Sequence, residues 1–214
     1  MNDDYRNTIY CPKLDGIKDR KKDVEDMIKK DHRRARDMHA YVSVNDDIYK
    51  NMFIEAYNGK CSYCGVSNDI IPKDSFEIDH FFCKELFSPP AKAGYMDNLV
   101  LACHTCNHNK SSFVIPPQYV TKLHPDTNGI TAYFERDEEY YIRIVAENKD
   151  SLIMNFYDKL RLGDELRRLD YLLMSIYGLQ KILHSMSGMA EVYEKMGRVV
   201  ELLRKKRNMT YRDK

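Results

Sequence analysis

Two Cys-x2-Cys pairs constrain this chain more than any other feature. Cys61 and Cys64 form the first pair, Cys103 and Cys106 the second, with 38 residues between them. Four thiolates in this spacing make a tetrahedral zinc site, and a zinc ion with all four positions filled is structural. The gap is longer than in an ordinary zinc finger and can hold a whole hairpin, so the metal would clamp the two ends of a small module. Structural zinc contributes about 10–16 kcal/mol in small peptides, which would dominate the stability of such a unit. Of the six cysteines only Cys11 and Cys83 are left over, and they are far apart in sequence. That argues for metal-holding reduced thiols and for the cytoplasm as compartment. The N-terminus has no charged n-region followed by an apolar run, and no apolar stretch approaches about 18 residues, so no membrane association is expected.

The composition, 43% apolar and 31% charged over 214 residues, allows a real core under a heavily solvated surface. The pattern predicts an α+β, mainly helical protein in four segments. Residues 1–58 are a helical region: a charged helix over about 17–41, with Val24, Met27 and Ile28 as a thin apolar stripe, then a second helix capped by Asn45 or Asp46. Ile48, Met52, Phe53 and Ala56 recur there at helical spacing, and Gly59 stops the helix. Residues 59–115 hold the motif module, with short strands at 76–79 and 99–102 around an irregular loop at 81–95. Residues 116–146 are a loop and a small hairpin, 131–136 with 140–146. Residues 147–214 are helical, with one stripe through Leu166, Leu169, Leu173, Ile176 and Leu183 and another through Met189, Val192, Tyr193, Met196, Val199 and Leu203. Residues 195–214 carry eight Lys/Arg against two acidic residues, a basic tail able to approach a phosphate backbone or simply to be solvated.

Between the cysteine pairs lies a different donor set. Asp79 and His80 are adjacent at a predicted strand end, so their side chains diverge; one can hold a metal while the other addresses water. Asn107 follows the last cysteine and Lys110 comes three positions later, on one face of a helix started by the knuckle. Asn98 precedes the second strand, where an amide can brace a loop through backbone hydrogen bonds. Hard oxygens beside an imidazole suit a hydrolytic divalent ion. An ordinary imidazole, with a pKa of about 6.5, is neutral enough near neutral pH to take a proton from water. His104 and His108 are close enough in sequence to substitute for Asn107 as ligands.

Taken together, Asp79-His80, Asn98 and Asn107, framed by the cysteine pairs and followed by Lys110, resemble the HNH endonucleases, which have a ββα-metal core. The likeness covers about 50 residues. It implies that His80 is the general base, that Asp79 and Asn107 hold one divalent ion, magnesium or manganese, and that zinc is the scaffold. It also implies that Asn98 orients the loop carrying the base, while Lys110 steadies the helix or binds a substrate phosphate. Many members of that family carry proline three residues after the histidine. Here the position is Cys83, which alters loop stiffness and removes no ligand; it is a buried small hydrophobe or a fifth thiol near the site.

A narrower similarity extends into the flanks. Lys60-Cys61-Ser62-Tyr63-Cys64, Ile78-Asp79-His80-Phe81, Asn98-Leu99-Val100, Cys106-Asn107 and Lys110-Ser111 are similar to the HNH component of Septu and retron anti-phage systems. Leu123-His124-Pro125-Asp126, and Leu160-Arg161-Leu162 before a helix with Arg167 and Arg168, extend the similarity. This resemblance implies a toxic effector that works beside an ATPase partner holding it in check. The expected substrate is a nucleic acid, DNA ahead of RNA. Two rivals stay open: a free-standing restriction-type HNH nuclease, and a non-catalytic zinc-stabilised module for nucleic-acid binding or adaptor duty.

Overall fold

The computed structural model describes residues 4–45, 47–186 and 188–212. They form an α+β fold, mainly helical, with two separate two-stranded sheets. Strand β1 (Phe76–His80) pairs antiparallel with β2 (Leu99–Cys103), Phe76 opposite Cys103 and His80 opposite Leu99. The apolar run that makes β2 is buried at every residue, so this strand is covered on both faces. Helix α4 (His104–Lys110) starts where β2 ends and packs back on both strands. A rise of about 3.4 Å per residue puts the two ends of this hairpin about 14 Å apart.

The first cysteine pair reaches β2 through backbone pairing. The Ser62 N–H donates to the Leu101 carbonyl at 2.8 Å, and Lys60 bridges to Ser67 across the knuckle. Gly65 turns the knuckle at φ +81°, where a Cβ would lie 2.5 Å from the Arg6 carbonyl oxygen; only glycine meets both demands. The N-terminal segment is a strap over this turn. The Tyr5 hydroxyl donates to Tyr63 O at 2.6 Å, and the Arg6 guanidinium donates to Ser62 O at 2.6 Å and Pro125 O at 2.8 Å.

The N-terminal helices differ from expectation in their bounds. Helix α1 (Ile17–Asp31) stops well short of residue 41, and α2 is only His39–Val42. Between them residues 32–38 form a connector. Its Ala35 and Met38 are buried, and the Met38 N–H donates to Gly94 O at 2.7 Å. Docking on the loop before β2 outweighs the good helix propensity of the alanine, arginines and methionine in this stretch. Helix α3 (Ile48–Ala56) is capped by Asp47, which accepts from the Tyr49 N–H at 2.8 Å, a contact worth about 1 kcal/mol. Asn45 instead accepts from Lys50, and Asp46 lies outside the described residues. The helix turns Tyr49, Phe53 and Ala56 inward and leaves Ile48 exposed.

The second sheet, β3 (Phe134–Arg136) with β4 (Ile142–Ile144), is shorter than the predicted hairpin because Ile130–Ala132 winds into a 3-10 turn. After a short α5 (Val120–Leu123) and α6 (Ser151–Lys159), helices α7 (Glu165–His184) and α8 (Ala190–Arg212) pack along one another. Leu166, Leu169 and Leu173 face in, whereas Val192 and Val199 of the second stripe are exposed, since a helical hairpin offers each member one partner only. One buried cluster runs from Tyr5 to Leu162 and draws on all four sequence segments. No helix among the described residues is long and apolar enough to cross a membrane.

Candidate functional site

The sulfurs of Cys61, Cys64, Cys103 and Cys106 converge within 4.8 Å of one another, and all four residues are buried. A tetrahedron with metal–sulfur arms of about 2.3 Å has edges of about 3.8 Å, and Cys64 Sγ lies 3.9 Å from Cys103 Sγ. Burial pushes the Cys64 and Cys106 thiols up, while hydrogen bonds from the other three hold Cys103 low, as a thiolate. This donor set can hold a metal ion such as zinc.

A fifth residue joins the cluster from α7. Arg167 is buried, and its guanidinium donates to Cys64 Sγ at 3.5 Å, Cys103 Sγ at 3.8 Å and Cys106 Sγ at 3.2 Å. Four thiolates around a divalent ion carry two surplus negative charges, which a dry site tolerates only with a cation beside it. The chain of charge continues outward: Asp170, also buried, pairs with Arg207 of α8 at 2.5 Å. In sequence Arg167 stands far from any cysteine; the resemblance named it only within a flanking helix and gave it no role at the cysteine cluster.

At the other end of the hairpin the β1 side chains divide by the two-residue period. Glu77 and Asp79 turn to α4. Glu77 accepts from the Asn107 amide and meets His104 Nδ1 at 2.6 Å. Asp79 accepts from the Tyr63 hydroxyl at 2.6 Å and faces the Lys110 ammonium at 3.0 Å. Burial raises the Asp79 carboxyl, against the opposing pull of Lys110 and Tyr63. Lys110 is 1% exposed and also donates to His80 O at 2.8 Å. It therefore anchors helix to strand end, the first of the two roles implied by the resemblance, with its ammonium turned to Asp79 and the His80 carbonyl.

His80 turns the opposite way, onto His39 of α2, with ring centroids 4.4 Å apart. Burial, then the His39 ring and the ammonium groups of Lys84 and Lys110, push its pKa down to about 3. The ordinary imidazole assumed from sequence is thus not what this site holds; the ring is neutral throughout the physiological range. Burial and Lys84 lower His39 too. Asp79, His80 and Asn107 line one open cleft of about 390 Å³, with His39, Cys83 and Lys84. Asn107 uses its amide N–H on Glu77, which leaves its oxygen for a hard cation. One carboxylate and one amide oxygen are hard donors of the kind a divalent ion takes, and both Asp79 oxygens are engaged here, by Lys110 and Tyr63.

Asn98 is buried and holds the 81–95 loop at three points. It accepts from the Phe82 N–H at 2.8 Å and donates to Phe82 O at 3.1 Å and Ala93 O at 2.8 Å. Cys83 is buried at the cleft wall, its thiol raised by desolvation and by Glu85. Within the basic tail, the run at 204–207 is mostly committed within the fold. Arg207 is bound to Asp170, Lys206 to Glu165 at 2.9 Å, and Arg204 to the Tyr177 hydroxyl. No protein family, no curated protein and no solved structure matches this chain.

Proposed function

We propose that this chain is a metal-dependent endonuclease of HNH type that hydrolyses phosphodiester bonds of nucleic acid. In this reading the four cysteines hold a structural zinc ion as scaffold, and the cleft at the far end of the hairpin is the reaction site. One observation supports it above the others: Asp79, His80 and Asn107 share a single cleft on a strand–strand–helix unit rooted in the cysteine cluster. His80, neutral and with no carboxylate bonded to its ring among the described residues, accepts a proton from water as the water oxygen bonds to phosphorus. The phosphorus–oxygen bond to the leaving group breaks, and that oxygen is protonated from solvent. An anionic phosphate entering the cleft raises the His80 pKa toward the range where it is an effective base. Asp79 and Asn107 would hold one magnesium or manganese ion with the substrate's own oxygens. The ion supplies charge neutralisation at the phosphoryl and leaving oxygens. Asn98 fixes the loop behind His80 and so its orientation.

A second, non-catalytic reading is favoured by one feature, the engagement of Asp79 with Tyr63 and Lys110, which a bound ion would have to loosen. Incubating the protein with plasmid, single-stranded DNA and total RNA, with magnesium or manganese against EDTA, separates the two. Divalent-dependent cleavage that is lost in His80→Ala supports the nuclease; binding without cleavage supports the module. The nuclease reading extends to an effector of anti-phage defence restrained by an ATPase. Ile182 of α7, Met186 just after it, and Val192, Val199 and Leu202 of α8, all exposed, are the apolar surface for such a partner. Co-purification with that ATPase, lost when Val192 and Val199 become Asp, is the expected result.

A further inference from the structure

The connector between α1 and α2 reads His32-Arg33-Arg34-Ala35-Arg36-Asp37-Met38 and runs directly into His39, whose ring lies on His80. Arg33, Arg34 and Arg36 are exposed, and among the described residues their side chains make no ion pair, hydrogen bond or ring contact. The basic run at 204–207 has the opposite character, with Arg204, Lys206 and Arg207 each committed to a partner on α7. A cluster of unpaired arginines is costly in mutual repulsion and waits for an anion.

The connector is also fixed in place. Ala35 and Met38 are buried, and the Met38 N–H is bonded to Gly94. A Cβ on Gly94 would lie 1.8 Å from Asp37 Oδ1, so the backbone of the loop and the connector touch. The arginines are therefore mounted on a held backbone, which lowers the ordering cost of binding. His39 lies six residue steps from Arg33, a span of at most about 20 Å, or about six phosphates of one strand at 3.4 Å each. Lys84, exposed and without a bonded partner among the described residues, stands on the cleft wall near both histidines.

We propose that Arg33, Arg34 and Arg36, with Lys84 on the cleft wall, grip the sugar–phosphate backbone of a nucleic acid and lead it to His80. Planar guanidinium groups bind phosphate oxygens in pairs, so three of them on one short connector follow a strand without reading its bases. The proposal rests on the nuclease reading for its purpose, but the binding surface stands on its own geometry.

The test uses the full chain carrying Arg33→Gln, Arg34→Gln and Arg36→Gln together, with Arg198→Gln plus Lys205→Gln as a control that removes exposed charge from α8. Binding of labelled duplex and single-stranded DNA is measured in EDTA, where no cleavage occurs, over a range of salt. Loss of three phosphate contacts lowers the slope of log affinity against log salt by about 2.7 for duplex and about 2.1 for a single strand. The control keeps the wild-type slope. With magnesium or manganese present the triple variant raises KM and leaves kcat nearly unchanged. A folded triple variant with wild-type slope and KM overturns the proposal and leaves the nuclease reading intact. Wild-type protein that binds through these arginines yet never cleaves overturns the nuclease reading and leaves the surface. Wild-type protein that binds neither form of DNA overturns the proposal outright.

Discussion

The two ends of the β1–β2 hairpin meet the problem of buried charge in opposite ways. At the cysteine end everything is closed: four buried sulfurs, a buried guanidinium on three of them, then Asp170 and Arg207 in alternating sign. At the His80 end charge is balanced only on the inner side, where Lys110 meets Asp79, and the outer side is an open cleft. A closed, compensated cluster can hold a metal for stability but offers nothing to a substrate. An open cleft with a neutral imidazole on its wall is accessible to a substrate but adds little stability. Substitutions at the two ends should therefore divide cleanly into those that unfold and those that inactivate.

The largest effect belongs to the cysteine end. Cys103→Ser removes a thiolate from a site whose ligation supplies about 10–16 kcal/mol of folding free energy in comparable small units. The expected product is insoluble or metal-free, whereas elemental analysis of the wild type is expected to give about one zinc per chain. Soluble Cys103→Ser that retains one zinc and native circular dichroism would remove the structural-metal account.

Next comes the inner side of the cleft. Lys110→Met keeps the aliphatic stem but leaves Asp79 buried without its cation, a loss of about 3–5 kcal/mol, to be read as a shift of the urea midpoint. An unshifted midpoint would mean that Asp79 finds another cation or becomes protonated at little cost. Arg167→Met should act more gently. Removing an outer partner of metal ligands weakens metal affinity by about 10–100-fold, measured as faster zinc transfer to a competing chelator. Zinc release at the wild-type rate would show that the thiolates do not need the guanidinium.

The contrast between the ends also explains what could be read from sequence. The cysteine pairs were legible because a metal demands fixed ligand types at short spacing, and the four sulfurs do converge. The strands were legible from short apolar runs, and β1 and β2 extend each predicted strand by one residue. Arg167 was not, because its partners are brought to it by tertiary packing alone. Lys110 illustrates the same limit from the other direction: position on a helix face did not reveal that its ammonium is buried against Asp79 and His80. The overlong first helix came from a connector that lacks Gly and Pro but docks on the loop at Gly94. Charge runs were the least informative feature. The conspicuous tail at 204–207 is mostly paired within the fold, while the shorter run at 33–36 is free, and nothing in the residue types distinguishes them.

The smallest change in stability and the greatest in activity should come from one residue, and that pairing tests the account most directly. His80 lies at the cleft, its ring tilted against that of His39 and hydrogen-bonded to no partner among the described residues. Cleavage of plasmid and single-stranded DNA by wild type and His80→Ala, with manganese and with EDTA, is to be measured beside zinc content and urea midpoint. The account predicts divalent-dependent cleavage by wild type and a loss of at least about 10²–10⁴-fold in the variant, with zinc and midpoint unchanged. Cleavage that survives in His80→Ala, or a variant that loses zinc and unfolds, would contradict the division of the hairpin into a structural end and a reactive end.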